Sequence, residues 1–263
     1  MRHVKQEREA VRIRVLRRGS IGEIRLSEPE VLNAQGSHWP EDMLAAAGEV
    51  GEDDGIRVVL LTGEGRSFCS GLNLTQLGRG EIPNKWFHAC EHAFRSLETM
   101  EKPVICGLQG YCLGGGLQVA IACDVRIAAE DAIVGLPAVR EAFIPGMGTY
   151  KLPRLIGMGW ARHLILSGEN INAGEAYRIG LVNKVVPRAA LESELEAWAE
   201  RYLEVPRPSL AWSKRLSNLA FDLTFEQFLE EEYDRAVDAV ISTPEHQAAR
   251  REWMEIKGYD YDD

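Results

Sequence analysis

Three predominantly apolar runs punctuate an otherwise mixed chain: "IRVVLLTG" (Ile56–Gly63), "PVICGLQG" (Pro103–Gly110) and "CDVRIAA" (Cys123–Ala129). Short runs of this kind, bounded by glycine or polar turn residues, predict strands covered on both faces. Between and after them, helical patterns occupy Trp86–Met100, Leu117–Ala122 and Lys151–Ser167. The order strand, helix, strand, helix, strand predicts a parallel sheet with crossover helices. Upstream, "VRIRVLRRGSIGEIRL" (Val11–Leu26) alternates loosely and predicts a hairpin turning at Arg18–Gly19, and "WPEDMLAAAGEV" predicts a helix with Pro40 in its first turn. Beyond Val186 the pattern is helical. Leu191, Leu195, Trp198, Ala199 and Tyr202 keep one face, as do Phe225, Phe228, Leu229, Ala236 and Val240. "VPRPS" (Val205–Ser209) breaks these helices and divides the chain into a core domain, residues 1–203, and a C-terminal helical region, residues 204–263.

Composition narrows the function classes. The chain's 263 residues suit one medium domain with an appendage, and 45% hydrophobic and 27% charged residues are ordinary globular values. A net charge of −10 argues against a nucleic-acid binder, which would carry a basic stripe. Five cysteines at irregular spacing (Cys69, Cys90, Cys106, Cys112, Cys123) give no disulfide framework and read mainly as small core residues. The charged N-terminus has no apolar run, so no secretory leader is expected there. No apolar run approaches the ~18 residues of a membrane span, so the expectation is a cytoplasmic protein with no membrane contact.

Two loops carry the chemistry. The first strand feeds "GEGRSFCSGLNL" (Gly63–Leu74) and the second feeds "GYCLGGGLQ" (Gly110–Gln118). Both lie at the carboxyl ends of parallel strands, where open α/β sheets bind ligands. Three consecutive glycines opening a helix need a reason, since each costs about 1 kcal/mol inside one. Glycine lets a backbone N–H approach a ligand with no Cβ in the way, and the first N–H groups of a helix have no intrahelical partner. One such N–H from each loop would make an oxyanion hole; tight turns and close helix packing account for single glycines equally well. Neither GxGxxG nor GxxxxGK[ST] occurs, which removes the dinucleotide and P-loop signatures.

"RSFCSGLNL" resembles the R-x-F-[CS]-[AS]-G-x-D-L loop of the crotonase (enoyl-CoA hydratase/isomerase) superfamily, and "KPVICGLQGYCLGGGLQVAIACDVRIAA" resembles its glycine-rich block. "EPEVLNA", "FIPGMGTYKLPRLIG" and "INAGEAYRIGLVNKVVP" are similar to the segments that precede and follow, in the same order, so the resemblance spans roughly Val11 to Pro187. It implies an α/β fold, a crotonase-like spiral of ββα units with a C-terminal α-helical trimerisation region, assembled as a homotrimer or a dimer of trimers. It implies an acyl-CoA thioester as ligand, with no cofactor beyond the coenzyme A of the substrate. By position, the oxyanion donors are the N–H groups of Leu72 and Gly115. Ser70, Gly71, Leu74, Gly114 and Ala138 fall around the thioester. Lys214, with Arg215 beside it, falls near the coenzyme's phosphates.

The chain departs from that pattern where acids and bases should stand. The two glutamates of family hydratases map to Gln118 and Ala138, and a third acid position used by some relatives maps to Gly146. Glutamine holds a water or a carbonyl by hydrogen bonds but takes no proton near neutral pH; it also serves simply to pack and cap a helix. Glu141, three residues past Ala138, is the first candidate to replace the missing base, with a solvated carboxylate or a partner for Arg140 as the alternative. Glu91 on the Trp86–Met100 helix is the second. Tyr111 and Cys112 read as packing. His88, Glu91 and His92 also spell H-x-x-E-H, a zinc-hydrolase pattern that needs a third ligand from elsewhere. Three functions therefore stand side by side: a hydratase/isomerase-type enzyme with altered proton chemistry, a non-catalytic acyl-CoA binder retaining the hole, and a zinc hydrolase.

Overall fold

In the computed structural model, which describes residues 12–257, β1 (Ile13–Arg18) and β2 (Ile21–Leu26) form the hairpin, with Gly19 at φ +62° making the left-handed turn. Val11 and the rest of the charged N-terminus, like residues 258–263, lie outside the described residues. α1 (Trp39–Glu52) crosses to β3 (Val58–Gly63); α2 (Leu74–Gly78) and α3 (Asn84–Thr99) lead to β4 (Val104–Leu108). β5 (Tyr111–Leu113), α4 (Gly115–Ile121), β6 (Val125–Ala129) and β7 (Ile133–Gly135) follow, then α5 (Gly148–Ser167), β8 (Asn170–Asn172), α6 (Ala173–Arg178) and β9 (Lys184–Val186). α7 (Leu191–Leu203) and α8 (Arg207–Leu219) begin the helical C-terminal part, so the expected division at residue 204 falls in the turn between them.

The main sheet has the order β1-β2-β3-β4-β6-β9, antiparallel at the hairpin and parallel from β2 onward. A second sheet, β5-β7-β8, is built from strands of three residues. β4 and β6 each hand the chain to a strand of this second sheet, and α4 or α5 follows; that is the repeating ββα unit. The architecture is the expected α/β spiral.

Burial explains the apolar runs. One face of the main sheet packs Ile24, Leu61 and Cys106 under α1 and α3 through Trp39, Met43, Val50, Phe94 and Leu97. The other packs Val58, Leu60, Ile105 and Ile127 under Leu191, Leu195 and Ala199 of α7. Each fully buried aliphatic chain contributes about 1.5–3 kcal/mol, and a strand covered on both faces has no polar alternation to show. α5 is two helices rather than the continuous one expected, broken at Gly157 (φ +77°, ψ 157°). Further helical stretches at Phe225–Gln227, Phe228–Tyr233, Asp234–Ile241 and Pro244–Lys257 leave Phe221, Phe225, Leu229, Tyr233 and Ile241 exposed. Among the described residues no helix is long and apolar enough to cross a membrane.

Candidate functional site

The two glycine loops meet as a hydrogen-bonded ribbon. Phe68 N donates to Gln109 O (2.7 Å), Cys69 N to Tyr111 O (3.0 Å), and Leu113 N returns to Cys69 O (3.0 Å), which lays residues 68–69 alongside β5. The other edge of the first loop is held by an earlier segment. Ser70 N donates to Leu32 O (3.0 Å), Gln35 N to Gly71 O (2.7 Å) and Asn73 N to Gln35 O (3.0 Å). Asn33, buried at φ +54°, adds a clamp: its Nδ2 reaches Glu64 O, Ser67 O and Phe68 O at 2.9–3.1 Å, while its Oδ1 accepts from Glu28 N (2.8 Å). Sequence reasoning missed the side-chain clamp of Asn33 and the backbone pairing of Gln35; the polar Asn33 inside "EVLNAQG" was the available signal for the first.

Each of the three glycines has its own steric reason. Gly114 turns the chain into α4 at φ +53°, ψ −117°. A Cβ on Gly115 would fall on the Gln35 amide, and one on Gly116 would fall on the Cys69 carbonyl. Gly71 faces them at φ +90°, where a Cβ would lie 2.5 Å from Leu113 O and 3.2 Å from Gly115 N. Leu72 and Gly115 are both half-buried. Among the described residues neither backbone N–H donates to any protein acceptor, although their neighbours Gly71 O, Asn73 N and Gly114 N are all engaged. The Gln35 Nε2 beside Gly115 is buried and likewise has no partner. Leu74 opens α2 and is 54% exposed.

A second cluster lies one helical turn further along α4. Gln118 is on the same face as Gly115, roughly 4.5 Å along the axis, and its Oε1 accepts from Gly148 N (3.3 Å). From the other side Glu91 of α3 accepts from Met147 N at Oε1 (3.0 Å). The two oxygens flank Gly146: a Cβ built there would fall on Glu91 Oε1 and 2.8 Å from Gln118 Oε1. Phe87, one turn before Glu91, lies against Phe143 in a tilted ring contact with centroids 5.2 Å apart. Burial pushes the Glu91 carboxyl above its ordinary range, against the Met147 N–H, Lys151 and His88, which favour its charge. Ala138 and Glu141 share the 3₁₀ turn Pro137–Glu141, where side chains three apart eclipse. Glu141 is exposed, with no hydrogen bond or ion pair among the described residues, and Arg140 donates instead to Ser167 O (2.9 Å).

Lys214 corrects its expectation. It is buried, and its ammonium is consumed by Asp124 Oδ2 (2.7 Å), Lys102 O (3.0 Å) and Leu97 O (3.3 Å), which leaves no N–H for a phosphate. Arg215 pairs with Glu232 at 3.0 Å. Cys112 is fully buried and its thiol is pushed well up by burial, as a packing residue should be. Tyr111 is 46% exposed. His88 and His92 stack edge to face, 4.6 Å between centroids, while Glu91 points its Oε1 at the Met147 amide. Among the described residues no three His, Cys, Asp or Glu side chains gather as a metal site.

The family model described as enoyl-CoA hydratase/isomerase matches residues 17–263. A short-chain-enoyl-CoA hydratase of Clostridium acetobutylicum is 34% identical over 255 residues, covering 92% of this chain and 95% of its own length. A crotonyl-CoA hydratase of Syntrophomonas wolfei is 35% identical over 213 residues, covering 80% and 82%. Among solved structures, an enoyl-CoA hydratase from Bacillus anthracis superposes with a TM-score of 0.86 at 31% identity, over 93% of this chain and 96% of that one.

Proposed function

The chain belongs to the enoyl-CoA hydratase/isomerase family and is an enzyme of that type acting on coenzyme A thioesters; from this premise we propose that it polarises a thioester carbonyl between the N–H groups of Leu72 and Gly115. The observation that carries the reading is the pair of unengaged, half-buried backbone donors set side by side by Gly71. A hydrogen-bond donor aimed at the oxygen of an enolate or tetrahedral intermediate lowers its barrier by on the order of 2.7–4 kcal/mol. Both donors are fixed by the ribbon before ligand arrives, so little reorganisation accompanies the reaction. Gln118 lies along the acyl direction with Oε1 tied to Gly148 and Nε2 left to hold a water or a second carbonyl. Ser70, Gly71, Gly114 and Ala138 form the surrounding walls. Coenzyme A enters as part of the substrate, and no other cofactor is needed for this chemistry.

The exposed aromatic and aliphatic side chains of the C-terminal helices suit burial against further copies, in a homotrimer or a dimer of trimers built by residues 204–263 around core domains 1–203. Five free, buried cysteines suit the reducing cytoplasm.

The test follows the conjugated-thioester absorbance of crotonyl-CoA and longer 2-enoyl-CoAs. Decay above the uncatalysed rate supports the reading. Tight acyl-CoA binding with no conversion of any thioester would instead favour a binder that has kept the hole and shed the carboxylates at positions 118, 138 and 146.

A further inference from the structure

We infer that Glu91 is the proton-transfer carboxylate of this site, reaching from α3 into the space that Gly146 leaves open. The three acid positions that the resemblance implies hold Gln118, Ala138 and Gly146, yet the space over Gly146 is not empty: Glu91 Oε1 lies against the place a Cβ of residue 146 would take. The carboxylate arrives from a different helix and occupies the ground that a side chain on the 146 turn would take. Its position is fixed by Met147 N, which donates to Glu91 Oε1 at 3.0 Å. Gln118, one helical turn from Gly115, brings its Oε1 to the same Gly146 surface. Acyl carbons running from the hole along α4 pass this carboxylate.

This role presupposes that the thioester carbonyl sits between Leu72 and Gly115. In the step assigned to Glu91, its carboxylate takes a proton from C2 of the acyl group. The C–H electron pair moves into the thioester, and the enolate oxygen is held by the two N–H groups. The reverse step returns a proton from the carboxylic acid to carbon, so nothing is oxidised or reduced. The titratable groups facing Glu91 are His88 and Cys90 of its own helix and Lys151 of α5. Burial, the largest influence, raises the carboxyl above its ordinary range, against the Met147 N–H, Lys151 and His88.

Exchange of the C2 protons of butyryl-CoA in D2O, followed by mass spectrometry, isolates that step from any later reaction. The wild type should exchange above the enzyme-free rate, and Glu91→Gln should lose ~10²–10⁴-fold while still binding butyryl-CoA. Its unfolding temperature at neutral pH should hold or rise, because the amide removes a desolvated charge. Gly146→Ala, which puts a methyl on the carboxylate's position, should also slow exchange. The acid limb of the wild-type pH profile should lie above the ordinary carboxylate value of about 4.3. Wild-type-like exchange by Glu91→Gln overturns the assignment and leaves the oxyanion reading intact. So does exchange abolished by Glu141→Gln but kept by Glu91→Gln. Loss of butyryl-CoA binding together with exchange in Glu91→Gln reduces Glu91 to a brace for the 146–148 turn and overturns it too. A wild type that binds butyryl-CoA but neither exchanges it nor converts any enoyl-CoA overturns the catalytic reading as a whole.

Discussion

Gly71→Ala tests whether the spacing of the two loops is what makes the hole. The added methyl would stand 2.5 Å from Leu113 O and 3.2 Å from Gly115 N. Ordinary contact begins near 3.4 Å, so the first loop must retreat by about 0.9 Å. Neither obstacle can swing aside, since both are backbone; their neighbours are pinned by Leu113 N to Cys69 O and Gly114 N to Gly135 O. Leu72 is the next residue along and moves with the loop. A donor displaced that far leaves the 2.7–3.1 Å window for an oxyanion, which corresponds to about 2.7–4 kcal/mol, or roughly 10²–10³ in kcat. The φ of +90° adds a stability loss of more than about 1 kcal/mol. The assay is kcat for a 2-enoyl-CoA at a temperature where circular dichroism shows the variant folded. Turnover within threefold of wild type in a folded variant would refute the reasoning. Gly115→Ala should be milder, because its methyl meets the free end of the Gln35 side chain.

Lys214→Met strips the counter-ion from Asp124 and should destabilise the protein by about 3–5 kcal/mol in urea unfolding, with Asp124→Asn in the same chain recovering part of the loss. Gln35→Leu deletes a buried amide donor that has no partner and should gain about 1 kcal/mol or more; a loss would mean that the Nε2 is satisfied in solution. Glu98 is desolvated, which pushes its carboxyl up, but Lys151 and Arg95 at 2.9 and 2.8 Å outweigh this and hold it below the usual range. Its stabilisation is therefore full above the unfolded carboxylate value near 4.3 and fades as pH falls through the lower folded value. Glu98→Gln should flatten the acid side of a stability–pH curve and leave the neutral side less stable.

What the sequence disclosed depended on the range of the interactions. The strands at Val58–Gly63 and Val104–Leu108 are written in nearly contiguous apolar residues, and the loops are marked by their glycines, although the atoms that exclude a Cβ at Gly71, Gly115 and Gly116 (Leu113 O, the Gln35 amide and Cys69 O) are distant in sequence. β5, β7 and β8 are three residues each, too short to show a period of two. Lys214 is the one buried residue of α8, the reverse of what lysine's charge suggests, and only the distant Asp124 explains it. Gly157 breaks α5 in a stretch whose apolar pattern continues across it. Glu91 stands in the sequence only as a second choice behind Glu141, because nothing local reveals that the 146–148 turn, 56 residues downstream, comes to its carboxylate.

The clamp formed by residues 28–35 has a bearing on engineering. The loop carrying Leu72 takes its shape from Asn33 and Gln35, which the chain lays down before it reaches β3. The stretch from Gly63 to Leu74 is thus not a portable cassette. Transplanted alone into another scaffold of this architecture, it would arrive without the amide that gathers its carbonyls or the backbone that registers its far edge. The unit of transfer is the pair of segments together, and a recombination crossover between residues 36 and 63 divides it.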